Sequence, residues 1–80
     1  MAVKILGVDD SAVMRKIIEM TFAGENAEVV TVSSGAEAVE RAKAMQPDVV
    51  LADASMNAMD GYEVSRAIKA GGSNAAVIVM

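Results

Sequence analysis

The groups in this chain with the capacity for chemistry are carboxylates at the ends of apolar runs. Asp9 and Asp10 close the first such run, and Asp53 closes a later one. With no histidine and no cysteine in the sequence, imidazole bases, thiolate metal sites, zinc sites and disulfides are excluded. Oxygen-ligated hard cations remain. Ligands of parallel sheets bind outside the carboxyl ends of the strands, where the strand order reverses. If the order is 2-1-3-4, Asp9, Asp10 and Asp53 crowd one small patch there. Like charges so close repel one another unless a cation sits among them. Mg²⁺ fits, because it takes a few carboxylates, a carbonyl and several waters. A single aspartate in such a place is usually a helix cap or a loop solvator; three meeting at a switch point favour a site.

The elements that must bring them together alternate along the chain. Residues 3–8 are an apolar, β-branched run and read as a buried strand. Ser11 or Asp10 caps a helix to about Ala23, with Val13, Ile17 and Met20 on one face and Met14 and Ile18 beside them. Arg15, Lys16 and Glu19 fall on the wet side, and Gly24 is the stop signal. Residues 28–32 form a second strand. Ser34 and Glu37 have capping-box spacing, and Ala38, Val39, Ala42 and Met45 make the buried stripe of a second helix, which Pro47 ends.

Residues 48–53 read as a third strand and 54–59 as a loop. Asp60 and Glu63 suggest a third helix start, with Tyr62, Val64, Ala67 and Ile68 buried and Gly71-Gly72 as the close. Residues 76–80 complete the pattern as a fourth strand. Such alternation means an α/β fold with a parallel sheet and right-handed crossovers. Gly7 interrupts the first strand, where it is expected to cost stability and leave a packing gap. The methionines read as core filling, and Lys4 and Lys69 as solvated charges.

Composition sets outer limits. Eighty residues make one small domain, spanning 1–80, and 54% hydrophobic content calls for a core. A net charge of −4 argues against a nucleic-acid surface. Residues 1–8 are too short for a signal peptide, and no apolar run approaches the roughly 18 residues of a membrane span. A cytoplasmic domain with neither nucleic acid nor membrane as partner is expected. Three helices divide two and one over the sheet, leaving one face under-covered and the last strand as an open edge. Self-association, as a dimer or by strand exchange, is the expected remedy.

Two stretches carry a family resemblance. Val-Lys-Ile-Leu-Gly-Val-Asp-Asp-Ser-Ala-Val-Met-Arg resembles the opening of response-regulator receiver domains of bacterial two-component systems, of the chemotaxis-regulator kind. Pro-Asp-Val-Val-Leu-Ala-Asp-Ala-Ser-Met-Asn-Ala-Met-Asp-Gly-Tyr-Glu is similar to that family's third strand, phosphoacceptor and following loop. The segment from Val32 to Ala38 resembles its entry into the second helix. The resemblance implies a flavodoxin-like doubly wound sheet of order 2-1-3-4 and a phosphoacceptor module, not an enzyme. Asp53 would take the phosphoryl group from a histidine kinase or phosphotransfer protein. Asp9, Asp10 and Asp53 would hold Mg²⁺ together with the backbone carbonyl of Ser55.

Departures from the family are also visible. Asn57 stands where proline is usual, and the chain ends at Met80 before the hydroxyl residue, the lysine and the final helix-strand-helix that the resemblance implies. These departures suggest a shortened or redesigned receiver impaired in phosphotransfer. The structural alternative is a self-associating fragment in which the site is a remnant. An aspartate-dependent phosphatase is a third reading, although such enzymes need two aspartates separated by one residue and this chain has an adjacent pair. A dinucleotide-binding module lacks its glycine-rich turn here.

Overall fold

In the computed structural model, residues 3–53, 61–71 and 75–79 are described. Four strands and three helices alternate: β1 (Val3–Val8), α1 (Ala12–Thr21), β2 (Ala27–Val32), α2 (Gly35–Met45), β3 (Val49–Ala52), α3 (Gly61–Ala70) and β4 (Ala76–Val79). All strand pairs are parallel, as the alternation implies, and their order is β2-β1-β3-β4, as the family resemblance implies. The expected strands at 28–32 and 48–53 differ from β2 and β3 only at their ends. Asp48 lies just outside β3 and serves its start: its carboxylate accepts from the Lys4 amide and its own amide donates to the Lys4 carbonyl, both at 2.8 Å.

Local chemistry explains the helix limits. Ser11 is the cap of α1, its hydroxyl accepting from the Met14 amide, which decides between Ser11 and Asp10. The helix stops at Thr21, short of Ala23, and Gly24 follows at φ 85°. Ser34 caps α2 through the Glu37 amide, but the Glu37 carboxylate accepts from the Ser33 hydroxyl instead of closing the box on Ser34. At the other end Gln46 takes a left-handed conformation immediately before Pro47, where further helix is disfavoured. The expected cap Asp60 and the glycine Gly72 lie outside the described residues.

Side-chain alternation divides the sheet into two faces. Leu6, Val8, Val50 and Ala52 point to one face and form the main core with Ala38, Ala42, Val64 and Ile68 from α2 and α3. On the other face α1 lies over β1 and β2 through Ile18. The apolar face of α1 that carries Val13, Ile17 and Met20 is largely open: Val13 is 69% and Met20 64% exposed, and Ile17 and Met14 are also open. Ile18 alone is buried in α1. Both the apolar stripe and the helix exist, yet the described residues place no second helix against that stripe. Met14 and Met20 therefore do not fill a core, whereas Met45 packs beside one.

Gly7 leaves no gap. A Cβ there would meet the Ile18 methyl Cγ2 at 3.1 Å and the Thr31 methyl at 3.3 Å. The missing side chain lets α1 approach the sheet, and Ile18 fills the space. Neither lysine is simply solvated. Lys4 Nζ donates to the Met45 carbonyl at the end of α2, and Lys69 Nζ donates to the Ala75 carbonyl at 2.7 Å.

Candidate functional site

β1 is the centre of the switch. The chain leaves it through α1 to reach β2 on one side, and returns through α2 to β3 on the other. Register then sets the neighbours. Val8 pairs with Ala52, so the residues that follow them, Asp9 and Asp53, emerge side by side. The Asp53 amide donates to the Val8 carbonyl at 3.0 Å, and the Asp9 amide donates to the Val32 carbonyl at 3.2 Å, fixing both strand ends. One carboxylate oxygen each from Asp9, Asp10 and Asp53 lies within 4.8 Å of the others. The convergence expected from the sequence is present for these three; Ser55 lies outside the described residues.

The three carboxylates differ in setting. Asp9 is 4% exposed, Asp53 is half-buried and Asp10 is exposed. Asp9 is the anchored member: its Oδ1 accepts from the Ser11 amide at 2.9 Å, turning the chain into α1. Its carbonyl accepts from Arg15 Nη1 at 2.8 Å. Arg15 was expected on the wet face and is instead half-buried against the β1–α1 turn. The sequence gives only a direction, since helical side chains lean toward the N-terminus, and not the acceptor. A long cation one turn inside α1 thus reaches back to the strand end.

The donor set suits a hard cation. Three carboxylates contribute oxygen only, at mutual distances compatible with sharing one ion, and their like charges favour a divalent cation among them. This acidic cluster resembles the Mg²⁺-binding site of receiver domains.

Comparison with known proteins gives the family. The sequence profile described as "Response regulator receiver domain" matches residues 5–80. This chain belongs to the response regulator receiver domain family. Among curated relatives, a protein-glutamate methylesterase/protein-glutamine glutaminase of Vibrio parahaemolyticus is 44% identical over 72 residues, covering 88% of this chain and 20% of that protein. The corresponding protein of Clostridium acetobutylicum is 38% identical over 69 residues, again covering 20% of its length. The chain therefore spans about a fifth of these curated relatives.

Among solved structures, the chemotaxis protein CheY4 of Vibrio cholerae superposes with a TM-score of 0.93 at 28% identity, over 99% of this chain and 68% of that one. The receiver domain of a sensor histidine kinase from Pseudomonas aeruginosa PAO1, solved with a magnesium ion coordinated in its active-site cleft, gives 0.87 at 30% identity. That match covers 99% of this chain and 66% of the other. Receiver domains are phosphoacceptor modules, not enzymes in the usual sense. The acidic cluster of Asp9, Asp10 and Asp53 in this one is consistent with the phosphoacceptor site of two-component signalling. No helix among the described residues is long and apolar enough to cross a membrane.

Proposed function

We propose that residues 1–80 form a receiver unit in which Asp53 accepts a phosphoryl group from the phosphohistidine of a histidine kinase or phosphotransfer protein. A carboxylate oxygen of Asp53 attacks phosphorus, the P–N bond breaks, and the imidazole leaves with the electron pair and takes a proton from solvent. The product is an acyl phosphate on Asp53. Asp9, Asp10 and Asp53, with the backbone carbonyl of Ser55, are the ligands assigned to Mg²⁺. When bound, that ion supplies charge neutralisation for a carboxylate approaching an anionic phosphoryl group. Asp9 contributes a fixed charge at the strand end, and Asp10 an exposed one.

The observation that carries this reading is the approach of the three carboxylates to within 4.8 Å at the end of the central strands. The same reading puts the domain in the cytoplasm, where kinases that draw on ATP present phosphohistidine. Esterase and glutaminase activity is said of the longer relatives only.

A small acyl phosphate donor tests the assignment. With Mg²⁺ present, the chain gains one phosphoryl group by mass spectrometry, and Asp53→Asn gains none. Labelling that persists in the Asp53→Asn chain overturns Asp53 as acceptor, as does a parent chain that stays unlabelled.

We also infer that the 80-residue chain self-associates, as a dimer or by strand exchange. Val13, Ile17, Met20 and Ile78 are exposed, and β4 is the last strand in the sheet order. Open apolar surface and edge strands both favour association. Light scattering after gel filtration checks it; a monodisperse monomer overturns it.

A further inference from the structure

Arg15 sits against the acidic site without being one of its carboxylates. It belongs to α1, where Met14 and Lys16 on either side of it are exposed, yet its own side chain is half-buried. Its Nη1 donates to the carbonyl of Asp9 at 2.8 Å. Helix stability does not account for a cation there. The N-terminal end of a helix carries positive partial charge, and the first turn of α1 contains no acidic residue to offset it.

The peptide that Arg15 grips is the one joining Asp9 to Asp10. A peptide unit is planar, so fixing the Asp9 carbonyl also fixes the direction in which the Asp10 amide and Cα leave. The other polar groups of Asp9 are already held, its amide by the Val32 carbonyl and its carboxylate by the Ser11 amide. The Arg15 bond holds the remaining one. Asp10 is exposed, so its placement relies on the backbone that carries it.

We propose that Arg15 is a positioning residue: through its hydrogen bond to the Asp9 carbonyl it orients the Asp9–Asp10 peptide and so aligns both carboxylates for a divalent cation. This rests on the reading of Asp9, Asp10 and Asp53 as the Mg²⁺ ligands. Two effects of Arg15 on that ion have opposite signs. As a bare charge, a guanidinium beside a divalent cation repels it, and neutralising it would tighten binding. As a positioning group, its removal loosens the ligands and weakens binding.

The experiment is Mg²⁺ titration of the full chain, followed by amide NMR shifts at Asp9, Asp10 and Asp53, with circular dichroism as the check on folding. Arg15→Met keeps the aliphatic stem and removes charge and donors. It is expected to weaken Mg²⁺ binding about tenfold, the size of a loss of an outer partner of a metal ligand. Arg15→Gln, a neutral donor, and Arg15→Lys, a charged donor, are expected to recover most of that loss. If the methionine variant does not fold, Arg15→Ala, with its higher helix propensity, takes its place in the titration. Binding as tight in Arg15→Met as in the parent overturns the proposal. Tighter binding in both neutral variants also overturns it, leaving charge as the only effect of Arg15. Failure of the underlying site reading appears in the parent chain itself: no Mg²⁺-dependent shift at the three aspartates overturns that reading and the role of Arg15 with it.

Discussion

On the face of the sheet covered by α2 and α3, Leu6, Val8, Val50 and Val64 are fully buried, and small residues of α2 let that helix sit close. On the face covered by α1, Ile5 and Ile18 are buried, but Val13, Ile17, Met20 and Ile78 stand open to solvent. A shallow apolar groove runs there beside Phe22, Val49 and Leu51. The same strands supply both faces, so strand propensity is not the difference. What differs is the number of helices each face receives among the described residues. Stability is thus concentrated in one layer, and the site depends on it: Val8 and Ala52, the last residues before Asp9 and Asp53, are both core residues.

Core truncation separates the faces most sharply. Leu6→Ala removes a side chain with no exposed surface and is expected to cost about 3 kcal/mol in urea unfolding. Ile17→Ala, on the open side of α1, is expected to stay within about 0.5 kcal/mol of the parent at concentrations where the chain is monomeric. A loss at Ile17 approaching that at Leu6 would break the comparison and mean that α1 is covered in solution.

The next effect lies where α1 does touch the sheet. Gly7→Val places a branched side chain where even a Cβ would lie 3.1 Å from an Ile18 methyl, and the overpacking is expected to cost about 2 kcal/mol. Ile18→Ala in that background should cost less than it does alone, because the two sites share one space. Additive losses in a double-mutant cycle would show that Gly7 and Ile18 do not compete for it.

Helix caps come below these. Ser34→Ala removes the acceptor for the Glu37 amide and is expected to lower stability by about 1 kcal/mol. Because α2 carries part of the closed core, the loss should appear as a shift in the cooperative midpoint. A separate early transition would instead report α2 fraying by itself.

The strands and helix starts were legible because each rests on local chemistry, whereas the strand order came from the family resemblance. Apolar β-branched runs ending in aspartate, Ser11 and Ser34 as caps, and Pro47 as a breaker all act within a few residues. Convergence of Asp9 with Asp53 followed once the order 2-1-3-4 was assumed. The exposure of Val13, Ile17 and Met20 was not legible residue by residue. Periodicity tells which side of α1 is apolar, not whether anything packs on that side. Gly7 misled for a related reason, since the filler of its space, Ile18, lies on another element. Arg15 and Lys69 were missed because a long side chain's destination is a tertiary fact: charge type suggested solvent, and each found a backbone carbonyl instead.

The smallest change in folding is expected from the open ridge of α1, and it bears most directly on what that face does. Ile17→Lys puts a charge where an exposed isoleucine now stands. Little apolar area is removed from water there, so unfolding stability should stay within about 0.5 kcal/mol of the parent. Association should respond differently, since an ammonium group at an apolar contact must be desolvated or the contact abandoned. A lower apparent mass by light scattering with an unchanged urea midpoint would assign the ridge to contact between copies. An unchanged mass would separate association from α1 and leave the exposed edge of β4 as its seat. A falling midpoint alongside the mass would show that the open face gains stability from its neighbour, making the two faces unequal only in the separated chain.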